Sequence, residues 1–283
     1  MHDLSAPVRV TWDLPPDPVL AAAVWRRLAR ARVLFVEVRV RPEGLGGLPG
    51  LAAGLSTDPG PRLALLGPPD PLLAAIEALG PRALAEAEVE MLPPYRPGTS
   101  VEELVAATHR LVPVLWSLPA ELDHLEQALE IAAAYRLGAV AVLNPPAPAE
   151  PLGRSHRAQA AAVWRRRAAP GLEPRVHDVF LARDFGLDVS GYRGCQGASV
   201  LAHVEEDGRV VACRTHPVEV GRLPLGTLEE IWASERRRAV AAALWAVPED
   251  CAGCGVVEAC RGGCPGLAPP GERDRSCPGP VCG

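Results

Sequence analysis

Along residues 1–170 short apolar runs alternate with longer stretches in which apolar positions recur every three to four residues. The first pattern is that of a buried strand and the second that of an amphipathic helix. Val8–Leu14 reads as a strand, and Pro18–Arg30 as a helix with its arginines on the wet face. Val33–Val40 is rich in β-branched residues and closes on Arg-Pro-Glu-Gly, which predicts a second strand. Leu63–Leu66 follows as a short strand. Asp70-Pro71 opens a helix that runs to Leu79 and stops at Gly80-Pro81. Glu88–Leu92, Val112–Leu118 and Ala139–Leu143 are further strands, and Ser100–Arg110, Ala120–Arg136 and Arg154–Arg167 further helices. Ser100-Val101-Glu102-Glu103 has the pattern of a capping box, and Gly138 reads as a helix stop. Strand and helix alternate about six times, which implies a parallel sheet covered by helices. The length suits an open, partial (β/α)6 TIM-like barrel, because a complete eightfold barrel takes ~250 residues.

Barrels of this kind carry their chemistry on the loops after the strand C-termini. Here the loop after the first strand is Pro15-Pro16-Asp17-Pro18, with no Cys, His or phosphate-cradling glycines. Arg41-Pro42-Glu43-Gly44-Leu45-Gly46-Gly47, after the second strand, is glycine-rich but matches no phosphate fingerprint and is read as structural. Asn144-Pro145-Pro146 is read as a rigid turn, and His109 and His124 sit on helical patterns in solvated or capping roles. No triad, paired-carboxylate signature or metal motif occurs in this part, so it names no reaction.

Composition narrows the classes. Apolar residues make up 48% and charged residues 22%, enough to bury a core. The 29 basic side chains, all Arg, against 34 acidic ones leave a net charge of −5, which argues against a nucleic acid as principal partner. No apolar run reaches the ~18–20 residues of a membrane span. The start Met1-His2-Asp3-Leu4 lacks the basic and apolar regions of a signal peptide. A soluble, cytoplasmic protein is expected.

The cysteines change the picture most. All eight lie between Cys195 and Cys282, and residues 1–194 contain none. That distribution predicts a boundary, with a barrel over 1–187 and a small Cys-rich domain over 188–283. In a reducing compartment such a segment points to metal rather than to disulfides. Ala198–Val204 and Arg209–Cys213 are strand-like around Glu206-Asp207-Gly208, so Cys195 and Cys213 lie on or beside a hairpin whose Asp-Gly turn tolerates positive φ. Thr227–Ala233 reads as a helix start with Leu228, Ile231 and Trp232 on one face. Then comes Cys251-x2-Cys254-x5-Cys260-x3-Cys264, followed by Cys277 and Cys282. A zinc ribbon explains the Cys251–Cys254 pair but not the spacings after it. Eight thiolates match the ligand demand of two four-cysteine clusters.

This register resembles the SPASM domain, the auxiliary-cluster domain of many radical SAM peptide-modifying enzymes. The resemblance spans roughly residues 190–283. It rests on seven motif cysteines, Gly208, Val220-Gly221-Arg222-Leu223, Thr227-Leu228-Glu229-Glu230-Ile231-Trp232 and Cys260-Arg261-Gly262-Gly263-Cys264. It implies two [4Fe–4S] clusters with interleaved ligands. Cys195, Cys213 and Cys264 would hold the inner one, and Cys251, Cys254, Cys260 and Cys277 the outer one. The fourth inner ligand is either Cys282 or an iron position left open, since Asp188–Gly194 holds no cysteine.

The order of barrel and SPASM domain is that of radical SAM enzymes, with Val10–Leu14 resembling their first strand. The cysteine triplet CxxxCxxC expected after that strand is missing, and so is the glycine-glycine-glutamate stretch that holds the SAM amino group. The resemblance therefore implies a degenerate radical SAM barrel that binds no SAM, similar to the SPASM domain protein of the GeoRSP system. Implied partners are a true radical SAM/SPASM enzyme, a PqqD-like peptide chaperone and a peptide substrate. The implied role is electron transfer or substrate positioning in peptide modification, with no catalytic residue assigned. Two alternatives stay open: a stand-alone enzyme using an open iron site, and a zinc-stabilised binding module. Arg165-Arg166-Arg167 and Arg236-Arg237-Arg238 are read as solvated helix faces.

Overall fold

In a computed structural model the elements run in the order β1 (Arg9–Asp13), α1 (Pro18–Arg30), β2 (Phe35–Arg39), α2 (Leu48–Thr57), β3 (Arg62–Gly67), α3 (Pro69–Leu84), β4 (Glu88–Met91) and α4 (Thr99–Ala107). They continue with β5 (Leu111–Trp116), α5 (Pro119–Leu122), α6 (Leu125–Ala134), β6 (Ala139–Leu143), α7 (Arg154–Arg167), β7 (Glu173–Val176) and α8 (Val179–Asp184). The rest is β8 (Leu201–Val204), β9 (Arg209–Val211), β10 (Glu219–Arg222), α9 (Leu228–Ala233), α10 (Glu235–Trp245) and α11 (Val257–Cys260). The structure describes residues 4–57, 60–93, 95, 98–150, 152–268, 271–277 and 279. Met1–Asp3 and Cys282 lie outside them.

The chain forms two compact units, Met1–Leu111 with Gly197–Ala241, and Val112–Gln196 with Ala242–Gly283. The expected boundary at 187/188 falls inside the second unit.

The first unit holds the strand order β10-β9-β8-β1-β2-β3-β4. β8, β1, β2, β3 and β4 are parallel, while beyond β8 the strand β9 pairs antiparallel with β8 and β10 antiparallel with β9. Strand alternation divides the sheet into two faces. Val10, Trp12, Val36, Val38, Val89, Ala202 and Val204 are buried on one face, where apolar side chains exclude water. The register Thr11↔Glu37 and Thr11↔His203 puts polar residues on the other.

α1 follows from its sequence: Asp17 accepts from the Val19 amide at 2.8 Å, Pro18 opens the helix, and Ala21, Val24, Trp25 and Leu28 bury one stripe. Periodicity does not predict α2. Its glycines let it approach α1, since a Cβ on Gly54 would lie 2.6 Å from the Trp25 ring. In the hairpin, Gly208 at φ +84° turns the chain between β8 and β9 as the Asp-Gly signal predicts. Thr227 caps α9 in a true capping box with Glu230.

The second unit holds β5-β6-β7, with β6 parallel to both its neighbours. Val114, Leu115, Val140 and Val142 are buried there with Leu125, Leu129 and Phe180. Arg157 of α7 is also buried, and its guanidinium lies 5.6 Å from the centre of the Phe180 ring.

Several local expectations need correction. The capping box at Ser100–Glu103 does not form: Gly98 precedes α4, and the Ser100 hydroxyl donates to Asp70 instead. Gly138 does not stop the helix before it. Arg136 takes the left-handed conformation at φ +53°, and the Leu137 amide returns to the Ala132 carbonyl. The single helix expected over Ala120–Arg136 is two, parted at Asp123-His124. Gly80 breaks the helix at φ +73° where a stop is expected, but a second helical stretch follows at once, so α3 runs on to Leu84. His124 precedes α6 and His109 follows α4, so neither lies within a helix.

Candidate metal centre

The Cys-rich run owes its shape to local hydrogen bonds rather than to a core. The Cys254 amide donates to the Cys251 carbonyl, the Val257 amide to Cys254 and the Cys260 amide to Val256, winding the chain through α11. Arg261 then takes φ +49°, and Gly262 and Gly263 both take φ +91°. Such backbone suits glycine because it has no Cβ to clash. A Cβ at Gly262 would sit 2.8 Å from the Pro248 ring, and one at Gly263 would sit 2.4 Å from the Asp274 Cβ. The two glycines let Cys260 and Cys264 stand either side of a tight reversal.

Four of the sequence-predicted ligands come together. Cys251, Cys254, Cys260 and Cys277 line one pocket in the second unit, with Arg183, Arg273 and Asp250 also on its wall. Cys251 and Cys260 are buried, and Cys254 and Cys277 half-buried. Burial raises the Cys251 thiol above its ordinary pKa, and the neighbouring Cys277 and Cys254 add to the shift while Arg273 opposes it. Burial pushes Cys260 up to about 11, and Cys277 and Cys251 act in the same direction. The nearby Gly262 and Gly263 backbone N–H groups partly offset this, and the Gly263 amide donates to the Cys260 carbonyl at 2.9 Å. Thiols that repel one another as thiolates release their protons when a cationic centre compensates them.

The donor set fits an iron–sulfur cluster. Thiolates are its usual ligands, and backbone N–H groups near their sulfurs tune such centres. Among the described residues no three His, Cys, Asp or Glu side chains converge as the ligands of one metal ion do. The four thiols instead surround a pocket.

The other described cysteines are each set by local backbone bonds. Cys213 follows β9, and its sulfur accepts from the His216 amide at 3.2 Å. Gly194, at φ +66°, donates its amide to the Ala259 carbonyl and packs on Arg261, which carries the chain into Cys195. The Cys264 amide donates to the Asp274 carboxylate at 3.1 Å. Cys282 lies outside the described residues.

The loop after β1 is closed over by the chain itself. Cβ atoms on Gly46 and Gly47 would fall 2.5 Å and 2.0 Å from the Pro16 and Pro15 carbonyl oxygens, and one on Gly44 would fall 2.5 Å from that of Leu14. The glycine-rich turn at Pro42–Gly47 is therefore a packing device, as expected.

The other face of the first unit's sheet is polar. Glu37 and His203 are buried there, and Arg214 contacts Glu37 at 3.1 Å. The His203 Nδ1 lies 2.8 Å from the Thr11 hydroxyl. Burial, reinforced by Arg214, drives the His203 pKa down to about 3, so the ring is neutral. Burial and the nearby Glu37 push Glu90 up to about 8. Asp13 stands 3.6 Å from Arg41, 3.9 Å from Arg39 and 3.8 Å from His203. The alternation of polar with apolar residues in Arg9–Asp13, Phe35–Arg39 and Glu88–Met91 is the sequence signal for this face.

Residues 195–255 match the SPASM family, an iron–sulfur cluster-binding domain. No curated protein matches the chain. Among solved structures, Streptococcus suis SuiB bound to S-adenosylmethionine superposes with a TM-score of 0.68 at 11% identity, over 96% of this chain and 75% of that one. SuiB bound to its precursor peptide SuiA gives 0.67 at 10% identity, over 96% and 76%. Native anSMEcpe with bound AdoMet and the Cp18Cys peptide gives 0.64 at 11% identity, over 96% and 94%. The chain thus has the mixed α/β fold of radical SAM TIM-like barrels such as SuiB and anSMEcpe, and carries a SPASM iron–sulfur cluster-binding domain toward its C-terminus.

Proposed function

We propose that this protein is an iron–sulfur accessory component of a radical SAM peptide-modification system. It carries two auxiliary [4Fe–4S] clusters for electron transfer or substrate positioning and does not itself cleave SAM. The observation that supports this most is that Cys251, Cys254, Cys260 and Cys277 line one pocket. Those four would hold the outer cluster, and Cys195, Cys213 and Cys264 the inner one, with Cys282 as its fourth ligand. When bound, such clusters supply one-electron chemistry. The chain's residues would hold them, shield them from water at the two buried thiols, and place the Gly262 and Gly263 backbone N–H groups near the Cys260 thiol.

Against SAM cleavage by this chain stands the loop after β1. It has no thiol between Pro15 and Pro18, and the glycine-rich turn packs onto its carbonyl oxygens. A SAM-cleaving cluster takes three thiolates at that place in the family the sequence resembles. SuiB and anSMEcpe have each been crystallised with a peptide, which supports a peptide as the substrate of the whole system. A true radical SAM/SPASM enzyme and a PqqD-like chaperone complete the reading.

The test is anaerobic reconstitution with iron and sulfide counting. About eight irons per chain are expected, as two cubane clusters. Cys254→Ala or Cys277→Ala should remove about half the iron, and Cys213→Ala the other half. Stoichiometric zinc without iron refutes the reading. Depletion of the same spectroscopic species by Cys254→Ala and Cys213→Ala refutes the ligand division.

A further inference from the structure

Asp274 is a buried carboxylate of the second unit that stands beside the cysteines and has no role in the reading above. It is 1% exposed. Both its carboxylate oxygens are engaged: Oδ1 accepts from the Ser276 amide at 2.8 Å and from the Ser276 hydroxyl at 2.6 Å. Oδ2 accepts from the Cys264 amide at 3.1 Å. The Asp274 backbone works in the same place: its amide donates to the Gly262 carbonyl at 2.7 Å, and its carbonyl accepts from the Cys277 amide at 2.9 Å. One residue thus ties the Gly262–Cys264 reversal to the turn that presents Cys277. Behind it, the buried guanidinium of Arg157 donates to the Ser276 carbonyl and pairs with Asp184 at 3.0 Å, which anchors the turn to α7 and α8.

We propose that Asp274 is the positioning residue that sets Cys264 and Cys277 together, so that the environments of both clusters depend on a carboxylate that ligates neither. This rests on the two-cluster reading above. The physical argument is one of geometry. A backbone amide fixed by a charged acceptor has little freedom, and charge-assisted hydrogen bonds are about twice as strong as neutral ones. Cys264 directly follows Gly262-Gly263, and Cys277 ends the polar turn Arg273–Ser276, so the orientation of both comes from these bonds. Partners beyond the ligand atoms orient metal ligands in the same way, and their loss typically costs ~10–100-fold in metal affinity.

The experiment compares full-length wild type, Asp274→Asn, Asp274→Ala and Asp178→Asn after anaerobic reconstitution. Asp178 is a control that caps α8 through the Phe180 and Leu181 amides. Iron content, the EPR spectra of the reduced clusters and thermal melting are read for each. Asp274→Asn keeps an acceptor oxygen but loses the charge; it should retain iron while both cluster signals shift. Asp274→Ala should lower iron at least two-fold and affect both signals, unlike Cys277→Ala, which removes one. Asp178→Asn should lower the melting temperature with unaltered spectra. If Asp274→Ala fails to fold, Asp274→Asn carries the test. Unchanged spectra in Asp274→Asn, a change confined to one cluster, or identical changes in Asp178→Asn would overturn the proposal while leaving the clusters in place. Wild type without clusters would instead overturn the reading on which it rests.

Discussion

Replacing Gly263 by alanine separates two costs that usually come together. Gly263 sits at φ +91°, where a side chain strains the backbone by ~1–2 kcal/mol. Its new Cβ would also lie 2.4 Å from the Asp274 Cβ and 3.0 Å from both Asp274 Oδ2 and the Phe180 ring. Asp274 is held by backbone bonds on both sides and cannot withdraw like a flexible side-chain end. Overpacking of this kind adds a further ~1–3 kcal/mol. Gly271 is the internal control, since it has φ +78° but nothing within 4 Å of the position its Cβ would take. Gly271→Ala should therefore show the backbone cost alone. At ~2–4 °C per kcal/mol, reconstituted Gly263→Ala should melt on the order of 5 °C below Gly271→Ala. Its iron content should also fall, because the strain is delivered to the Cys264 amide. Equal melting temperatures and equal iron in the two variants would refute the argument that Asp274 is fixed.

The polar sheet face predicts a pH profile of stability. Glu90 has its pKa raised from 4.5 to about 8, so its contribution is fully present below 4.5 and is lost as pH rises through 8. His203 has its pKa lowered from 6.5 to about 3, so its contribution is present above 6.5 and is lost as pH falls toward 3. The two slopes oppose each other between about 4.5 and 6.5, so denaturation midpoints should be level there and fall on either side. Glu90→Gln should abolish the alkaline fall and turn the level stretch between about 4.5 and 6.5 into a rise, since the His203 slope is then unopposed; a variant that keeps the alkaline limb unchanged places its origin elsewhere. Reduced protein given SAM should form no 5′-deoxyadenosine alone and should support its formation only with an added radical SAM enzyme. Catalytic deoxyadenosine from the isolated chain, lost on Cys213→Ala, would promote it to a stand-alone enzyme.

Much of the fold is readable because its rules are local. Val10 and Trp12 alternate with polar neighbours, the stripe of α1 repeats with helical period, and Asp207-Gly208 names its own turn. Local rules fail where a distant partner decides the conformation. Ser100 bonds to Asp70 rather than capping its helix, and Arg136 accepts a left-handed backbone ahead of Gly138. The short α2 has glycines that suppress its helical signal. It forms because Gly50 and Gly54 admit the Pro18 carbonyl and the Trp25 ring at distances no side chain would allow.

For the site the division is sharper. Cysteine spacing alone points to clusters, because ligand demand is a matter of residue type and count. That Cys251, Cys254, Cys260 and Cys277 line one pocket is decided by the fold, since Cys277 is separated from the others by a stretch with no periodicity. Asp274, His203 and Glu90 are invisible as functional groups in the chain. A carboxylate becomes a clamp, or an imidazole stays neutral, only through burial and neighbours, and both are properties of the tertiary structure.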